Sequence, residues 1–422
     1  MSGFRGIHQD RLKIRFVKSE DEISRRELLR LVLPRYEVIP FIEPGLCRGS
    51  QECGLCLDTC PLKAIKVETD EVIVNTVLCS GCGVCTIACP TRAIVYPTFL
   101  LEHLDEEIEG LLLSEATLPE FRILALICQN CLLAPDKDGA GQLTFPSSVA
   151  GLRIPCLAMA SPWLMLRAFD RGAQGLALIA HKKCSLELDP SIWQENVRFV
   201  QSLLDCWGIE PERIRVFDMA DDFHDVAREL DQFIREMAPL APTPLSVSET
   251  ISMPVDGLLL PALIKGLVNK VGNSSKRVVT DGMVPFGRLE VGSQCTGCSL
   301  CAIGCPTEAL TISSSEETDS YQLLFRHDLC VACGKCVEVC PEKCLQLERI
   351  LELDRFDNPA AVLFEDRIVK CRQCGSVIGY GAMIEKLQVK LTEMGDAYAS
   401  QLELCPSCKM KVQFSSGGRE VR

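Results

Sequence analysis

The fold of this chain is decided by the stretch Cys79-Ser-Gly-Cys82-Gly-Val-Cys85-Thr-Ile-Ala-Cys89-Pro90. The same spacing of cysteines recurs at residues 295–306 and 330–341, and a fourth copy, at residues 47–61, differs only in its first interval. Three closely spaced cysteines followed by Cys-Pro form the ligand pattern of paired cubane iron–sulfur clusters. Four copies of the pattern predict four [4Fe–4S] clusters and a protein that moves single electrons.

The copy at residues 47–61 departs from the others at its first cysteine. The usual position of that cysteine would be residue 50, which is serine, and the preceding cysteine is Cys47. In the interpretation that we prefer, a longer loop delivers Cys47 as the fourth ligand. In the alternative, that ligand is missing and the site holds a three-iron cluster.

The cysteine content fits a metalloprotein better than a disulfide scaffold. The chain has 422 residues, of which 26 are cysteine and 47% are hydrophobic, enough for three or four packed domains. Disulfide scaffolds are typical of short secreted domains, whereas Cys-x2-Cys groupings in a long chain without a signal peptide favour metal chelation. We therefore expect a cytoplasmic location in an anaerobe, with attachment to a membrane through partner subunits as the alternative.

The charge of the chain excludes one class of partner. The net charge is −13 and the isoelectric point about 5.1, so nucleic-acid binding is not expected, and basic patches on partner proteins are the natural complement. No run of residues approaches the ~18 apolar residues that a membrane span needs. We expect no span.

A short repeat follows each Cys-Pro pair. Two variable residues, then alanine or cysteine, then an alternating apolar stretch predict a short strand that leaves each cluster loop. Cys344 holds the position that alanine holds in the other three copies. We therefore interpret Cys344 as a small core residue and not as a ligand.

Residues 38–98 and residues 288–350 each resemble a bacterial two-cluster ferredoxin, a small α+β fold, and residues 1–37 precede the first as a helical extension. In that family the fourth cysteine of each run binds the other cluster. The resemblance implies two ligand sets in the first unit: Cys47, Cys53, Cys56 and Cys89, and Cys79, Cys82, Cys85 and Cys60. It implies two more in the second unit: Cys295, Cys298, Cys301 and Cys340, and Cys330, Cys333, Cys336 and Cys305.

The segment 120–240 has a different pattern, in which strands and helices alternate. Strands are predicted at Arg122–Ile127, Arg153–Leu157, Gly175–Ala180 and Arg213–Phe217, and helices at Pro162–Arg171, Ile192–Trp207 and Asp222–Met237. This alternation predicts a small parallel α/β domain. Cysteines follow three of the strands, at the ends where such folds bind ligands, and predict one [2Fe–2S] cluster. They are Cys128, Cys131, Cys156 and Cys184.

This segment resembles the delta subunit of methyl-viologen-reducing hydrogenases. The resemblance is carried by Cys128-Gln-Asn-Cys131, Arg153-Ile-Pro-Cys156, Ala168-Phe-Asp-Arg-Gly172-Ala-Gln-Gly175, His181-Lys-Lys-Cys184 and Gly208-Ile-Glu-Pro-Glu-Arg213-Ile. In the family a further cysteine usually precedes the equivalent of Cys184, where His181 stands here. The fourth ligand is therefore open between Cys184 and His181. Alternatively, the four cysteines are small buried hydrophobic residues.

The rest of the chain holds a linker and a second kind of metal site. Residues 241–287 are interpreted as a linker with a packing helix. In residues 361–422, Cys371-x2-Cys374 and Cys405-Pro406-x-Cys408 predict one tetrahedral four-cysteine site in a zinc-ribbon-like domain. Zinc is preferred, and rubredoxin-type iron is the alternative. This tail also resembles the end of the ferredoxin-like subunit of formate hydrogenlyases.

These features favour an electron-transfer subunit over an enzyme. We find no Gly-x-Gly-x-x-Gly after a strand and no Walker loop, so a site for two-electron chemistry is not recognisable. The resemblance implies a relay between a hydrogenase or formate dehydrogenase and a flavin-containing, heterodisulfide-reductase-like module. The alternatives are a peripheral arm of a membrane-bound formate hydrogenlyase or complex-I-like assembly, and a stand-alone redox enzyme with an unrecognised organic cofactor.

Overall fold

The computed structural model describes residues 39–49, 53–69, 71–112, 122–128, 145–181, 188–219, 223–246, 250–254, 258–272, 277–279, 284–356, 359–394 and 401–416. The helical extension expected at residues 1–37 lies outside these ranges. Cys131 and Cys184 also lie outside them.

The first cysteine-rich unit is built from short elements around its cysteines. They are β1 (Phe41–Ile42), α1 (Leu55–Thr59), β2 (Ile65–Glu68), β3 (Glu71–Val74), α2 (Val84–Ala88) and β4 (Ile94–Val95). Strand β1 pairs with β4 and β2 with β3, in both cases antiparallel. Helices α1 and α2 carry the third cysteine of each run, Cys56 and Cys85, so the cysteine runs determine where the helices lie.

A strand follows the Cys-Pro pair in all four copies, which confirms the prediction from the repeat. In the first unit these strands are β2 and β4. The residue two positions before each strand has a positive φ of 50° to 56°, a conformation that non-glycine residues rarely adopt. The four residues are Lys63, Arg92, Glu308 and Lys343. The repeat thus extends to the backbone conformation, which turns the chain sharply out of each cluster loop.

The middle of the chain forms a parallel α/β domain. After α3 (Leu101–Leu112) come β5 (Ile123–Cys128), β6 (Val149–Ile154), α4 (Pro162–Asp170), β7 (Gly175–His181), α5 (Ser191–Cys206), β8 (Ile214–Met219) and α6 (Phe223–Met237). The strand order is β6-β5-β7-β8, and every pair is parallel. The sequence placed the second strand four residues too late. Pro155 has no backbone N–H to donate, so it follows the strand and cannot continue it.

The packing helix expected in residues 241–287 is present. Helix α7 (Leu259–Val271) buries Leu263, Ile264 and Leu267 in the core of the α/β domain. Strand β9 (Arg277–Val278) then pairs with residues 351–352, which follow the second cysteine-rich unit. The same core includes Val284 and Phe286 before the second unit and Leu351, Leu353 and Phe356 after it. Both ends of the second unit are therefore anchored on the α/β domain.

The second unit and the tail share one sheet. Their elements are β10 (Gly287–Val291), α8 (Leu300–Ile303), β11 (Leu310–Ser315), β12 (Ser320–Phe325), α9 (Lys335–Glu338), β13 (Leu345–Arg349), β14 (Leu351–Glu352), β15 (Ala361–Lys370), β16 (Val377–Tyr380), α10 (Gly381–Glu393) and α11 (Pro406–Ser416). Strand β10 pairs with β13, and β11-β12-β15-β16 form an antiparallel sheet. The tail therefore continues the sheet of the second unit instead of standing apart from it.

Candidate iron–sulfur and metal centres

The structure gathers sixteen cysteines into four groups, two in each unit. In each group, the neighbouring cysteines whose charges act on one thiol identify the other members. Each group contains three cysteines of one run and the last cysteine of the other run in the same unit. Group 1 is Cys47, Cys53, Cys56 and Cys89. Group 2 is Cys60, Cys79, Cys82 and Cys85. Group 3 is Cys295, Cys298, Cys301 and Cys340. Group 4 is Cys305, Cys330, Cys333 and Cys336.

The electrostatics of each group show why a positive core is needed to stabilise it. Burial raises the pKa of Cys56 to about 12, and the charges of the other three cysteines of group 1 add to the rise. Burial and the same kind of repulsion raise the pKa of Cys301 in group 3 to about 11 and that of Cys336 in group 4 to about 12. Four thiolates so close together repel one another unless cations lie between them.

Backbone amides point at several of these sulfur atoms. The N–H of Ala64 donates to Cys60 Sγ over 3.2 Å, and the N–H of Gly81 donates to Cys79 Sγ over 3.4 Å. Gly49 N–H donates to Cys47 Sγ in the same way, also over 3.4 Å. Amide hydrogen bonds orient ligands and tune a metal centre, so these loops are prepared to hold thiolates. Cys47, whose spacing departs from the pattern, takes part in this arrangement.

The spacing of the sulfur atoms separates two kinds of site. In the tail, the Sγ atoms of Cys371, Cys374, Cys405 and Cys408 all lie within 4.8 Å of one another. A tetrahedral Zn–S distance of about 2.3 Å puts neighbouring sulfur atoms about 3.8 Å apart, so a single ion fits this set. Among the described residues, groups 1 to 4 do not converge so tightly. Their wider spacing fits a core of several atoms.

Group 3 also has a cavity at its centre. The thiols of Cys295, Cys298, Cys301 and Cys340 line it, together with Cys344 and Tyr321. A [4Fe–4S] centre held there would accept and donate one electron at a time. The residues present thus fit the cluster that the sequence predicts.

The tail site is prepared for a cation. Cys374 Sγ lies 3.6 Å from Cys405 Sγ, and the N–H of Cys405 donates to Cys371 Sγ over 3.3 Å. That hydrogen bond is the main reason why the pKa of Cys371 is lowered to about 6. The thiolate is the metal-binding form, and the fold favours it at Cys371.

The sheet-edge site of the α/β domain is described in part. We use this name for the carboxyl edge of the sheet, where Cys128 ends β5 and Cys156 follows β6 by two residues. Both are buried, and Cys128 Sγ lies 3.6 Å from the carbonyl oxygen of Pro155. His181 ends β7 at the same edge. Two of the four predicted ligands thus lie at the edge where a parallel sheet binds ligands, while Cys131 and Cys184 belong to residues that are not described.

Two features that the sequence analysis missed join the domains. Arg48 donates to the carbonyl oxygen of Pro306 over 2.8 Å and pairs with Glu308 at 3.0 Å, linking the first unit to the second. Met159 packs over Gly83, linking the first unit to the α/β domain. A lone arginine and a lone methionine carry no signal in sequence, because their partners lie far along the chain.

Comparison with known proteins matches the α/β domain to a family. Residues 123–240 match the family described as the methyl-viologen-reducing hydrogenase delta subunit. The chain is 33% identical over 114 residues to the vhu iron-sulfur subunit of the F420-non-reducing hydrogenase from Methanopyrus kandleri, covering 26% of this chain and 86% of that relative. It is 30% identical over 124 residues to the corresponding protein of Methanococcus maripaludis, covering 28% and 92%. The chain belongs to this delta-subunit family.

The cysteine-rich units match other families. Residues 72–95 match the 4Fe-4S binding domain and residues 294–344 the 4Fe-4S dicluster domain. Over 217 residues, 50% of this chain, the delta-family protein is 23% identical to one subunit of the ferredoxin/F(420)H(2)-dependent CoB-CoM heterodisulfide reductase from Methanosarcina acetivorans, of which it covers 27%. Together the matches identify an iron–sulfur electron-transfer subunit of an oxidoreductase complex that carries [4Fe–4S] clusters. No helix within the described residues is long and apolar enough to cross a membrane.

Proposed function

We propose that this delta-family protein relays single electrons through five centres, four [4Fe–4S] and one [2Fe–2S]. Groups 1 to 4 hold the [4Fe–4S] clusters, with Cys47 as a full ligand of group 1. The sheet-edge site holds the [2Fe–2S] cluster through Cys128, Cys131, Cys156 and Cys184. The protein has no catalytic site of its own and acts in the cytoplasm of an anaerobe.

One observation carries this proposal. The thiol of Cys82 in group 2 and the thiol of Cys156 at the sheet edge share one buried apolar cluster with Val84 and Ala158. A ferredoxin-type centre and the delta-type centre are therefore neighbours inside one chain. Such contact is what a relay requires, and a set of independent structural metal sites would have no need of it.

The tail has a structural part in this function. Four sulfur atoms within 4.8 Å of one another support one Zn²⁺, held by Cys371, Cys374, Cys405 and Cys408. Zinc does not change its oxidation state, so it would brace the end of the sheet that joins the tail to the second unit. Rubredoxin-type iron in the same place would add a sixth redox centre.

The names of the relatives support two partners, a hydrogenase and a module like heterodisulfide reductase. A formate dehydrogenase in place of the hydrogenase, and a flavin in the second module, are what the resemblance of residues 120–240 to the hydrogenase delta subunit implies. The acidic chain, with a net charge of −13, would meet basic surfaces on both.

Anaerobic purification from the native cell, with identification of every bound protein, tests this proposal. We expect a hydrogenase or formate dehydrogenase and a flavoprotein, about 18 iron atoms per chain and one zinc. About 8 iron atoms would mean that only one cysteine-rich unit is loaded. A colourless protein without low-spin paramagnetic signals after dithionite treatment would overturn the proposal, and co-purification with membrane subunits would favour the peripheral arm of a membrane complex.

A further inference from the structure

We propose that the five centres lie in one unbranched line. Its order is the sheet-edge site, group 2, group 1, group 4 and group 3. This order rests on the proposed function, because it concerns the path of electrons through the chain. It differs from the order of the cysteine runs in the sequence.

The first link joins the sheet-edge site to group 2. Besides the apolar cluster shared by Cys82 and Cys156, the loop of group 2 touches the α/β domain at Gly83. A Cβ atom placed on Gly83 would lie 2.7 Å from Met159 Cγ and closer still to the sulfur atom. Met159 is buried in the core of the domain. Only glycine allows so close an approach, so the two surfaces are fitted to each other.

The second link lies inside the first unit. Cys60 and Cys85 of group 2 share one buried core with Cys47, Cys56 and Cys89 of group 1. The pair α1 and α2, which carry the third cysteines of the two runs, also pack against each other. Groups 2 and 1 are therefore direct neighbours.

The third link joins the two units. Arg48 directly follows Cys47, the first cysteine of group 1. Its hydrogen bond and ion pair reach Pro306 and Glu308, and Pro306 directly follows Cys305 of group 4. The loop of group 1 thus contacts the loop of group 4.

The fourth link lies inside the second unit. Cys305, Cys330 and Cys336 of group 4 pack against the same buried core as Cys301 and Cys340 of group 3. Group 3 in turn packs against the sheet that continues into the tail, through Tyr321. Group 3 is thus the far end of the line, and the sheet-edge site is the near end.

This order assigns the ends of the relay. Each transfer along the line moves one electron and neither a proton nor an atom, so one centre is oxidised by one electron and its neighbour is reduced by one. The electron enters from one redox partner, bound at one end, and leaves to the other partner, bound at the opposite end. The two partners of the proposed complex therefore dock at opposite ends of the chain.

The first test disturbs one link and keeps every ligand. Gly83→Leu drives a side chain into Met159, and Gly334→Leu is its matched control. Gly334 also follows the second cysteine of its run, with φ +80° against +78° for Gly83, but a Cβ there meets no described atom within 4 Å. The Gly83→Leu protein should keep its full iron content. Its electron paramagnetic resonance spectrum should lose the line broadening that magnetic coupling between the sheet-edge site and group 2 causes. Met159→Ala should restore it, and Gly334→Leu should leave it unchanged.

The second test removes one centre at a time. Cys53→Ala deletes an inner centre, and Cys298→Ala deletes the terminal one. After dithionite reduction, the loss of group 1 should reduce the line broadening of two centres, groups 2 and 4. The loss of group 3 should reduce the broadening of group 4 alone. If Cys53→Ala empties the whole first unit, iron falls by about eight atoms, and the Gly83→Leu comparison then decides the first link.

The outcomes separate the order from the function. A preparation without iron would contradict the proposed function itself. The order would be overturned, and the relay function left standing, by either of two results. One is a Cys298→Ala protein that keeps its other centres but changes the signals of two of them, and the other is a fully loaded Gly83→Leu protein with its broadening intact.

Discussion

Cys344 shows how much one side chain can differ from its equivalents. The other three copies of the repeat have Ala64, Ala93 and Ala309 at this position. Cys344 is buried as the sequence predicted, but its Sγ atom lies 3.7 Å from that of Cys340, a cysteine of group 3. The cavity of group 3 is therefore lined by five thiols. Four are enough for a cubane cluster, so the fifth is not required as a ligand.

Cys344→Ala should leave the iron content of the protein unchanged. The variant reproduces the residue that the other three copies carry, and we expect it to cost about 1 kcal/mol of stability, the typical loss for removing one small buried group. Iron analysis after anaerobic purification checks this, with Cys301→Ala as the control that should lose about four iron atoms. If Cys344→Ala also lost about four, Cys344 would be a ligand.

Arg167 is the largest fully buried side chain of the α/β domain, and two carboxylates balance its charge. It binds Asp105 at 2.5 Å and Asp170 at 2.7 Å, and Lys270 binds Asp170 at 2.8 Å. Burial alone would raise the pKa of Asp105, but the hydrogen bonds and charges of Arg167 and Arg171 hold it below its ordinary value. The network ties α3 to α4 and, through Lys270, to α7.

Arg167→Met should destabilise the α/β domain by about 3–5 kcal/mol, because two buried carboxylates lose their main partner. Arg215→Met is the control. Arg215 pairs with Glu236 at 2.6 Å but is partly exposed, so its loss should cost about 0–1 kcal/mol. Urea unfolding followed by circular dichroism under argon measures both. Equal losses for the two variants would contradict the assigned role of burial.

At the scale of elements, the tail depends on the second unit for its position. Strand β15 pairs with β12 over its first seven residues and with β16 over its last three. The four cysteines of the tail lie at and beyond the end of this sheet. The sequence located the four cysteines, because Cys-x2-Cys spacing is a local signal. The pairing of β15 with β12 is not local, and the sequence analysis did not predict it.

A zinc chelator should remove the tail metal without bleaching the iron–sulfur absorbance. The tail site is a separate set of four thiols, and the sheet that supports it is also held by β12. We expect release of one zinc per chain, loss of helix signal from α10 and α11, and no loss of iron. Cys374→Ser should have the same effect, because it removes one of four ligands. Release of iron in place of zinc would favour rubredoxin-type iron.

At the scale of the whole molecule, His327 joins the second unit to the α/β domain. Its Nδ1 atom lies 3.1 Å from the carbonyl oxygen of Gly287, and its Nε2 atom accepts the N–H of Glu352 over 2.9 Å. The ring also packs against Phe286 and Phe356, which belong to the α/β core. Only neutral imidazole can donate at one nitrogen and accept at the other, so protonation would break one of these bonds.

Stability should therefore fall in acid. Burial lowers the pKa of His327 below its ordinary value of 6.5. The neutral ring is favoured in the folded state, so its contribution is complete above about pH 6.5 and is lost as the pH falls through the lowered pKa. Urea midpoints between pH 7.5 and 5.5 measure this, and His327→Gln should remove part of the pH dependence. The control variant His103→Gln, which replaces an exposed histidine, should retain the full pH dependence of stability. An unchanged slope in His327→Gln would contradict the role of this residue.

The sequence by itself determined the chemistry of this protein. The spacing of cysteines within 12 residues identifies the thiols that bind iron–sulfur clusters, and the alternation of apolar strands and helices predicts the parallel sheet. Both are local properties of the chain, so they can be recognised without a structure. The delta-family comparison then agreed with the resemblance that Cys128, Cys156 and their neighbours carried.

Only the tertiary structure decided how these parts are arranged. The contacts of Gly83 with Met159 and of Arg48 with Pro306 join surfaces far apart in sequence. The sequence predicted a packing helix in residues 241–287, but not that α7 would pack in the α/β core. Periodicity tells which face of an element is buried, but not which other surface covers it. That choice depends on the shapes of both partners, and the proposed order of the centres rests on it.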